Sequence, residues 1–492
     1  MNMTEPTQEL AFETATSLRP RFLSGELSPV DVVDSVLAQI EQHNGDRERG
    51  INALTEVFPD EARAAARAAQ ELFAKCRRSG DDPPALLGVP VAAKEKHFLA
   101  GMRHSEGYAP WAQRRAEADH PLITRLRDAG AIIHARTTTP EFSASTFTHS
   151  RLWGTTRNPW NLAATPGGSS GGSAAALAAG MTVLATASDI GGSTRVPAGF
   201  CGLLGYKAPY GRVPGVGALS ADTYRGDGGL ARTVDDMALL HGVLAGRHPT
   251  DHRSWGPNGT PEFLGLSAEL SGLRIAMDMH AGDFPVSAAV SADFAELAEA
   301  LRRAGAEVTE VSFPFSSDTI IETAQMHFGQ IISQVIAESI ADDPGAATDY
   351  VHEVLHDSAH AAQTSSLIDS LRADATVQQQ IAGTMAGFDV MITPTQGAEM
   401  LAAEQDIRAG FDVDGVHVPL LMKAHMTLPF NIANSCPVMA IPMGVSPSGV
   451  PTSAQVIGHP YDERMVFTVS RAIEQLLPSA RAARPAFDRL AG

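Results

Sequence analysis

The chain has 492 residues, of which 44% are hydrophobic and 19% charged, as expected of a soluble globular protein with a large core. Its formal net charge of −19 argues against partners such as nucleic acid or an anionic membrane surface, because both attract basic patches. Its three cysteines, Cys76, Cys201 and Cys436, fit neither a disulfide framework nor a metal site, and they predict a reducing, cytoplasmic location.

The sequence carries no recognisable targeting or membrane signal. Residues 1–18 lack the basic segment followed by an apolar stretch that marks a signal peptide. The uncharged, Ala-rich stretch 173–188 is too short to span a membrane. We therefore expect a protein that is neither exported nor anchored in a membrane.

Residues 1–80 are predicted to form a helical layer packed on the rest of the chain. Ser28 and Pro29 provide a cap and a first-turn proline before an apolar stripe that ends at Ile40. The Ala-, Arg- and Glu-rich segment 61–76 predicts a second long helix, which Gly80 and the following prolines end.

From about residue 85 the pattern becomes α/β. Short apolar strands are predicted at 131–135, 182–186, 273–278, 307–311, 389–394 and 438–442, and helices at 122–129, 173–180 and 287–304. Residues 273–311 form a βαβ-like unit, but without the G-x-G-x-x-G of a dinucleotide site. Residues 316–385 are predicted to be mainly helical and to shape the substrate pocket. No linker is evident, so residues 81–492 are predicted to be an α/β domain that makes one structural domain with the N-terminal layer.

Lys94 ends an apolar run, Leu87 to Ala93, that is typical of a buried strand. A lysine at the end of a buried strand usually extends its side chain so that the charged amine reaches water. A buried lysine, in contrast, loses its charge and can act as a base. Considered alone, Lys94 favours the first alternative, and only the two serine loops described next favour the second.

The segment 166–173 reads PGGSSGGS and surrounds Ser169 and Ser170 with glycines. A flexible linker is disfavoured because an Ala-rich helical stretch follows at once. The segment also matches the G-x-S-x-G nucleophile elbow, but that motif needs a strand directly before the serine. Residues 158–166 contain two prolines and no strand pattern, which disfavours the elbow.

A second glycine-rich loop, DIGGSTR at 189–195, follows a predicted buried strand. Its glycines leave consecutive backbone N–H groups unobstructed before Ser193, an arrangement suited to stabilising an oxyanion. Asp189 and Arg195 could pair and hold the loop, which would also suit a purely structural turn. The two serine loops and Lys94 together favour a Ser–Ser–Lys hydrolase, since a serine needs a base to become a nucleophile.

These segments resemble the amidase signature family, and the resemblance covers most of the chain. It rests on GVPVAAK at 88–94, NPWN at 158–161, GGSSGG at 167–172, DIGGSTRVPAGFCGLLGYK at 189–207, YGRV at 210–213, LPFN at 428–431 and AIP at 440–442. The family pattern is also matched by Asn52-Ala53, AGA at 129–131, residues 137–141, GVP at 449–451, Gln455 and Gly458. The resemblance implies an α/β fold, a large mixed β-sheet core surrounded by helices.

The resemblance also implies the roles of individual residues. Ser193 resembles the nucleophile, Ser169 the bridging serine preceded by a cis peptide, and Lys94 the base. The oxyanion hole would be formed by the backbone N–H groups of Ile190, Gly191, Gly192 and Ser193. Supporting residues would be Ser170, Asp189 and Arg195.

The chain departs from the family pattern at three places near these residues. Glu95 stands where the family often has Asp, Lys207-Ala208-Pro209 replaces lysine-proline-threonine, and Gly228-Gly229 replaces glycine-proline. These departures concern the shape of the pocket and not the chemistry.

Residues 352–356 read HEVLH, which matches the zinc-protease motif, and His360 would share a helical face with His352 and His356. The alternatives are an incidental helix face or a histidine at the substrate entrance. We expect the incidental face, and neither a metal nor another cofactor.

The resulting prediction is an amidase that cleaves small or medium organic amides, with anilides, esters and carbamates also open. The alternatives are a glutaminase-type subunit of a tRNA-dependent amidotransferase, which needs partner chains, and a non-catalytic binding relative. The partner is a small-molecule amide, and a homodimer stays open. Candidate substrate-binding residues are Ser143, Ser145, Thr146, Tyr210 and Phe430, and an adaptable apolar wall could come from Met326, Phe328, Met385, Met400 and Met422.

Overall fold

The computed structural model describes residues 9–45, 50–256 and 263–486. Residues 1–8, on which the signal-peptide prediction partly depends, lie outside the described residues. A mixed sheet of eleven strands forms the centre of the molecule. In spatial order its strands are β1 (Leu54–Val57), β3 (Ile132–Thr137), β2 (Pro90–Lys94), β6 (Leu184–Asp189), β8 (Gly226–Ala231), β7 (Leu204–Lys207), β14 (Val438–Val445), β15 (Pro451–Gly458), β11 (Val390–Pro394), β9 (Arg274–Met277) and β10 (Glu307–Glu310).

Both ends of the sheet contain parallel strands, and its middle is antiparallel. β2 lies parallel to β3 and β6, and β9 lies parallel to β10 and β11. From β6 through β15 to β11 each neighbouring pair is antiparallel. Two small hairpins lie outside this sheet, β4 (His149–Ser150) with β5 (Gly154–Thr155) and β12 (Phe411–Val413) with β13 (Val416–Val418). The predicted α/β class with a large mixed sheet is confirmed.

Helices cover the sheet. They are Ala15–Ser24, Pro29–His43, Pro59–Ser79, Pro121–Asp128, Gly171–Ala178, Arg195–Cys201, Val234–Leu244, Ala288–Arg303, Ser317–Gln330, Ile332–Ile340, Asp349–Thr364, Leu367–Met385, Pro429–Ile432, Glu463–Leu476 and Pro478–Ala482. No helix in the described part of the chain is long and apolar enough to cross a membrane. The three cysteines are buried and unbridged.

Residues 1–80 are not wholly helical, which corrects the prediction for this segment. Ser28 caps the helix Pro29–His43 in a capping box with Asp31, as its sequence predicts. Between the helices, however, β1 joins the main sheet antiparallel to β3. A strand of four residues has too short an alternating pattern to be told from a loop.

Most of the other predicted elements are confirmed with small shifts of their ends. The strand expected at 182–186 is β6, which begins at Leu184 and continues to Asp189. The helix expected at 173–180 begins earlier, at Gly171. As a result, the glycine-rich serine segment leads directly into a helix, and the second serine loop starts at the carboxyl end of a buried strand.

Candidate active site

Lys94 lies at the carboxyl end of β2, fully buried, beside the carboxyl end of the parallel strand β6. Its backbone N–H donates to Thr186 Oγ1 at 2.8 Å. Its Nζ lies 2.7 Å from Ser169 Oγ, 2.9 Å from Ser170 Oγ and 3.0 Å from Ser188 Oγ. The side chain therefore ends among hydroxyl groups and makes no ion pair with a carboxylate in the described structure.

Burial lowers the pKa of Lys94 well below its ordinary value, and the nearby charge of Lys96 lowers it further. A neutral amine has two N–H donors and one lone pair, which matches three hydroxyl neighbours. Two hydroxyls can accept from Nζ while the third donates to it. The environment therefore suits Lys94 as a base for one of these hydroxyl groups.

Ser169 lies directly before the helix Gly171–Ala178 and is fully buried. The peptide between Gly168 and Ser169 is cis, as the family resemblance implies. The following glycines allow this helix to pack closely: a Cβ at Gly172 would lie 2.3 Å from Thr138 Oγ1. Close packing holds the Ser169 hydroxyl against Lys94.

Ser193 lies in the loop between β6 and the helix Arg195–Cys201. Its carbonyl oxygen accepts from the N–H of Ser170 at 3.2 Å, which joins the two serine loops. Unlike Ser169, Ser193 is half-buried and lines a cavity of about 400 Å³. Of these two serines, Ser193 is the one that a substrate in the cavity can reach.

Asp189 and Arg195 form the expected buried ion pair, with Arg195 Nε 3.0 Å from Asp189 Oδ2. Burial alone would raise the pKa of Asp189, but the charge of Arg195 lowers it below its ordinary value. Arg195 also donates to the side chains of Asn431 and Gln455. This network fixes the loop that carries Ser193.

The oxyanion loop differs from the expectation in one donor. The N–H of Gly192 donates to Asp189 Oδ1 at 2.8 Å, so it is already engaged. The N–H groups of Ile190, Gly191 and Ser193 have no acceptor among the described residues. Three of the four expected donors are therefore free to face an oxyanion.

The cavity beside Ser193 is mostly apolar. Its lining includes residues of the predicted pocket (Ser143, Ser145, Thr146, Phe328 and Met422) and Ile190 of the predicted oxyanion hole. It also includes residues that the prediction missed (Ile321, Gln325, Ile332, Ile336, Glu353, Val354, Asp357, Ile407, Arg408, Leu420, Leu421, His425 and Leu428). Residues 321, 325, 328, 332 and 336 follow helical spacing, which is a signal that could have identified this wall.

Two predicted substrate-binding residues lie elsewhere. Phe430 is fully buried in the core, where its ring packs 6.2 Å from that of Phe313. Tyr210 donates its hydroxyl to the carbonyl of Ser220 and does not line the cavity. Both lie within motifs of the family resemblance, YGRV and LPFN, but neither lines the described cavity.

The methionine wall is largely core packing. Met385 is buried in the hydrophobic core, and Met400 packs against a second core cluster. Met326 is half-buried and is absent from the cavity lining. Only Met422 of the predicted methionines lines the described cavity.

The HEVLH segment does form a helix, but its histidines lie on the exposed side. His352, His356 and His360 do not line the described cavity, whereas Glu353 and Asp357 of the same helix do. The exposed positions of the histidines favour the incidental helix face over a role at the substrate entrance.

Another group, His97, His120 and Asp227, has the side-chain composition of a metal site and is the one such group found among the described residues. His97 Nε2 lies 3.1 Å from Asp227 Oδ1. However, Arg225 already pairs with Asp227 at 2.6 Å. A guanidinium in contact with the carboxylate favours an ion-paired core cluster over a bound cation.

Comparison with known proteins places this architecture in a family. A family model described as Amidase matches residues 31–467. A glutamyl-tRNA(Gln) amidotransferase subunit from Synechococcus sp. (strain CC9605) is 32% identical, over 94% of this chain and 96% of its own. The 6-aminohexanoate-cyclic-dimer hydrolase of Pseudomonas sp. (strain NK87) is 29% identical over 95% of each chain. The structure of a bacterial aryl acylamidase of the amidase signature enzymes superposes with a TM-score of 0.85 at 24% identity, covering 96% of this chain and 99% of that one.

Proposed function

The chain belongs to the amidase signature family, whose members hydrolyse amide C–N bonds, and we propose that it is a serine amidohydrolase of apolar small or medium organic amides. The observation that carries this proposal is the contact of Lys94 Nζ with Ser169 Oγ at 2.7 Å, next to the loop whose Ser193 lines an apolar cavity. Anilides, esters and carbamates with an apolar acyl or amine part also suit such a cavity.

In the proposed reaction, neutral Lys94 takes a proton from Ser169, which takes one from Ser193. Ser193 Oγ then attacks the carbonyl carbon, and backbone N–H groups stabilise the resulting oxyanion. The relay returns its proton to the nitrogen of the leaving amine as the C–N bond breaks. Water, activated by the same relay, releases the acyl group from Ser193.

Burial supports this division of roles between the two serines. A nucleophile must reach the substrate, and Ser193 lines the cavity. A relay must contact the base, and the fully buried Ser169 contacts Lys94. Ser170, Asp189 and Arg195 are proposed to position the two loops without contacting the substrate.

The similarity to the amidotransferase of Synechococcus favours a second candidate, a glutaminase-type subunit that needs partner chains. Glutamine would bring both an ammonium and a carboxylate into the pocket, and each needs a partner of opposite charge. Arg408, a cation on the cavity wall, already pairs with Glu353 at 2.7 Å. Asp357 is the other charged residue of the described cavity wall, so no second cation there is left for the carboxylate of glutamine. This favours the independent amidase.

One experiment tests the proposed function with the purified chain alone. We expect it to hydrolyse a butyryl 4-nitroanilide, and Ser193→Ala to lower kcat by about 10⁴-fold or more with an unchanged melting temperature. A fluorophosphonate probe should label Ser193, and a label mapped to Ser169 would reverse the two roles.

The alternatives predict different results in the same experiment. A chain that needs glutamine and partner chains would leave the anilide intact. A metal hydrolase would lose its activity to a chelator and keep it in Ser193→Ala. The triple variant of the exposed histidines, His352→Asn, His356→Asn and His360→Asn, is the matched control and should be fully active.

A further inference from the structure

His425 is a polar side chain of the cavity wall whose hydrogen bonding is incomplete. The residue lines the cavity beside Leu428 and is only 2% exposed. Its Nε2 is buried and has no partner among the described residues. A buried polar atom without a partner is costly, so a ligand of the cavity gains by supplying one.

The neighbours of His425 determine which kind of partner Nε2 requires. Thr427 Oγ1 donates its only proton to the carbonyl of Gly191 at 2.7 Å. The 2.9 Å contact between Thr427 Oγ1 and His425 Nδ1 must then be donated by Nδ1–H. If the imidazole is neutral, Nε2 carries a lone pair and needs a donor.

The surroundings keep the imidazole neutral. Burial lowers the pKa of His425 to about 4, and the charge of Arg195 contributes to this shift. Asp189 acts in the opposite direction but is itself paired with Arg195. At neutral pH, His425 therefore presents an acceptor and not a second N–H group.

His425 is also connected to the loop that carries Ser193. Thr427 packs directly on the glycine loop, because a Cβ at Gly192 would lie 2.0 Å from Thr427 Oγ1. Two hydrogen bonds, from His425 to Thr427 and from Thr427 to Gly191, connect His425 to the loop that holds Ser193. Because His425 and Ser193 line the same cavity, a ligand bound there can contact both side chains.

We propose that His425 Nε2 accepts a hydrogen bond from the N–H of the scissile amide and so selects N–H amides over esters. This inference rests on the proposed function, in which Ser193 is the nucleophile. Holding the N–H in one direction leaves the nitrogen lone pair, which develops as the carbonyl is attacked, free to take the proton from Ser169. An ester has no N–H and leaves Nε2 unpartnered.

The test compares butyryl 4-nitroanilide with 4-nitrophenyl butyrate, which share an acyl group and differ in the N–H. In His425→Asn the side-chain NH2 of the asparagine can still donate to Thr427 Oγ1, but the shorter side chain places no acceptor at the position of Nε2. We expect kcat/KM for the anilide to fall about tenfold and that for the ester to change less than twofold. The longer His425→Gln supplies an oxygen acceptor and should recover part of the anilide activity.

Equal losses for anilide and ester in His425→Asn would overturn the proposal, and so would an unchanged anilide rate. The exposed His417 provides the matched control, His417→Asn, which should not affect either substrate. If neither substrate is hydrolysed by the wild-type chain, the proposed function fails instead.

A second measurement does not depend on the folding of a His425 variant. In ¹⁵N-histidine-labelled Ser193→Ala protein, the Nε2 resonance of His425 should be that of an unprotonated nitrogen. It should move towards lower frequency when the butyryl anilide binds, because the nitrogen then accepts a hydrogen bond. A resonance that is protonated in the free protein, or that does not move at saturation, would overturn the proposal.

Discussion

Lys94 is a buried amine whose hydrogen-bond neighbours are all hydroxyl groups. Water would stabilise its ammonium form, and burial removes that stabilisation, so its pKa lies well below the ordinary value. Exposure to solvent, which the sequence alone favours for such a lysine, would have kept it charged and inactive as a base. Its burial therefore makes the pH dependence of the reaction a test of its role.

We predict that kcat/KM for an anilide rises with pH through the lowered pKa of Lys94, because the base works only when deprotonated. Lys94→Arg, which stays protonated, should lower kcat about 10³-fold or more. The exposed Lys75→Arg is the control and should not alter the profile. A pH–rate profile that falls steadily from pH 6 to pH 9 would contradict the role of Lys94.

The two glycines before Ser193 are not equivalent. Gly192 has a φ of 125°, and an added Cβ would meet Thr427 Oγ1 at 2.0 Å. A Cβ at Gly191 would meet Leu428 and Phe328 only at 3.6 and 3.8 Å, which is ordinary contact. The loop thus requires glycine at one position and tolerates a methyl group at the other.

We predict that Gly192→Ala lowers the free energy of unfolding by about 2 kcal/mol or more, since it combines a strained φ with a buried clash. Gly191→Ala, the matched control for stability, should change it by less than about 1 kcal/mol. Chemical denaturation measures both. Equal losses in the two variants would show that the loop is not packed as described.

At the scale of elements, a buried cluster attaches the helices Ser317–Gln330 and Leu367–Met385 to the sheet. His327 Nε2 lies 2.8 Å from Asp222 Oδ1, and its Nδ1 lies 3.6 Å from Asp374 Oδ2. Tyr224 stacks on the imidazole at 3.6 Å. Phe328, the residue after His327 in the chain, lines the cavity, so this cluster also positions one cavity wall.

Burial alone would lower the pKa of His327, but Asp222 and Asp374 outweigh it and raise the pKa to about 9. A histidine whose pKa is higher in the folded protein stabilises the folded state fully at pH values below its pKa in the unfolded chain, about 6.5. This contribution is lost as the pH rises through 9. The cluster therefore stabilises the wall most at neutral and acidic pH.

We predict that His327→Gln, which leaves two buried carboxylates without a cation, lowers the free energy of unfolding by about 3 kcal/mol at pH 6. The difference from wild type should shrink between pH 6.5 and pH 9. The exposed His360→Gln is the control and should have no effect. A difference that grows with pH would show that His327 is neutral in the folded protein.

At the scale of the whole molecule, the order of strands in the sheet brings the site together. Lys94 and Asp189 end the neighbouring parallel strands β2 and β6, so both lie at one edge of the sheet. Asn431 and Gln455, which hold Arg195, come from segments far along the chain. Packing of distant segments therefore gives the loop of Ser193 its fixed shape.

The sequence by itself determined the local features of this protein. Apolar runs predicted the strands that carry Lys94 and Asp189, and the glycines around Ser169 and Ser193 marked loops in which the backbone packs closely. These features are set by residues that are close together in the sequence, so a short segment is enough to predict them. The family resemblance then related the two serines and the lysine to one reaction.

Only the tertiary structure decided which side chains line the cavity. Tyr210 and Phe430 turn away from the cavity, the histidines of HEVLH face solvent, and His425 lies on the cavity wall. Burial, pKa and cavity shape depend on contacts between segments separated by hundreds of residues. A single sequence does not contain those contacts in any local pattern, which is why the motifs of the candidate triad were visible in the sequence and the lining of the pocket was predicted only in part.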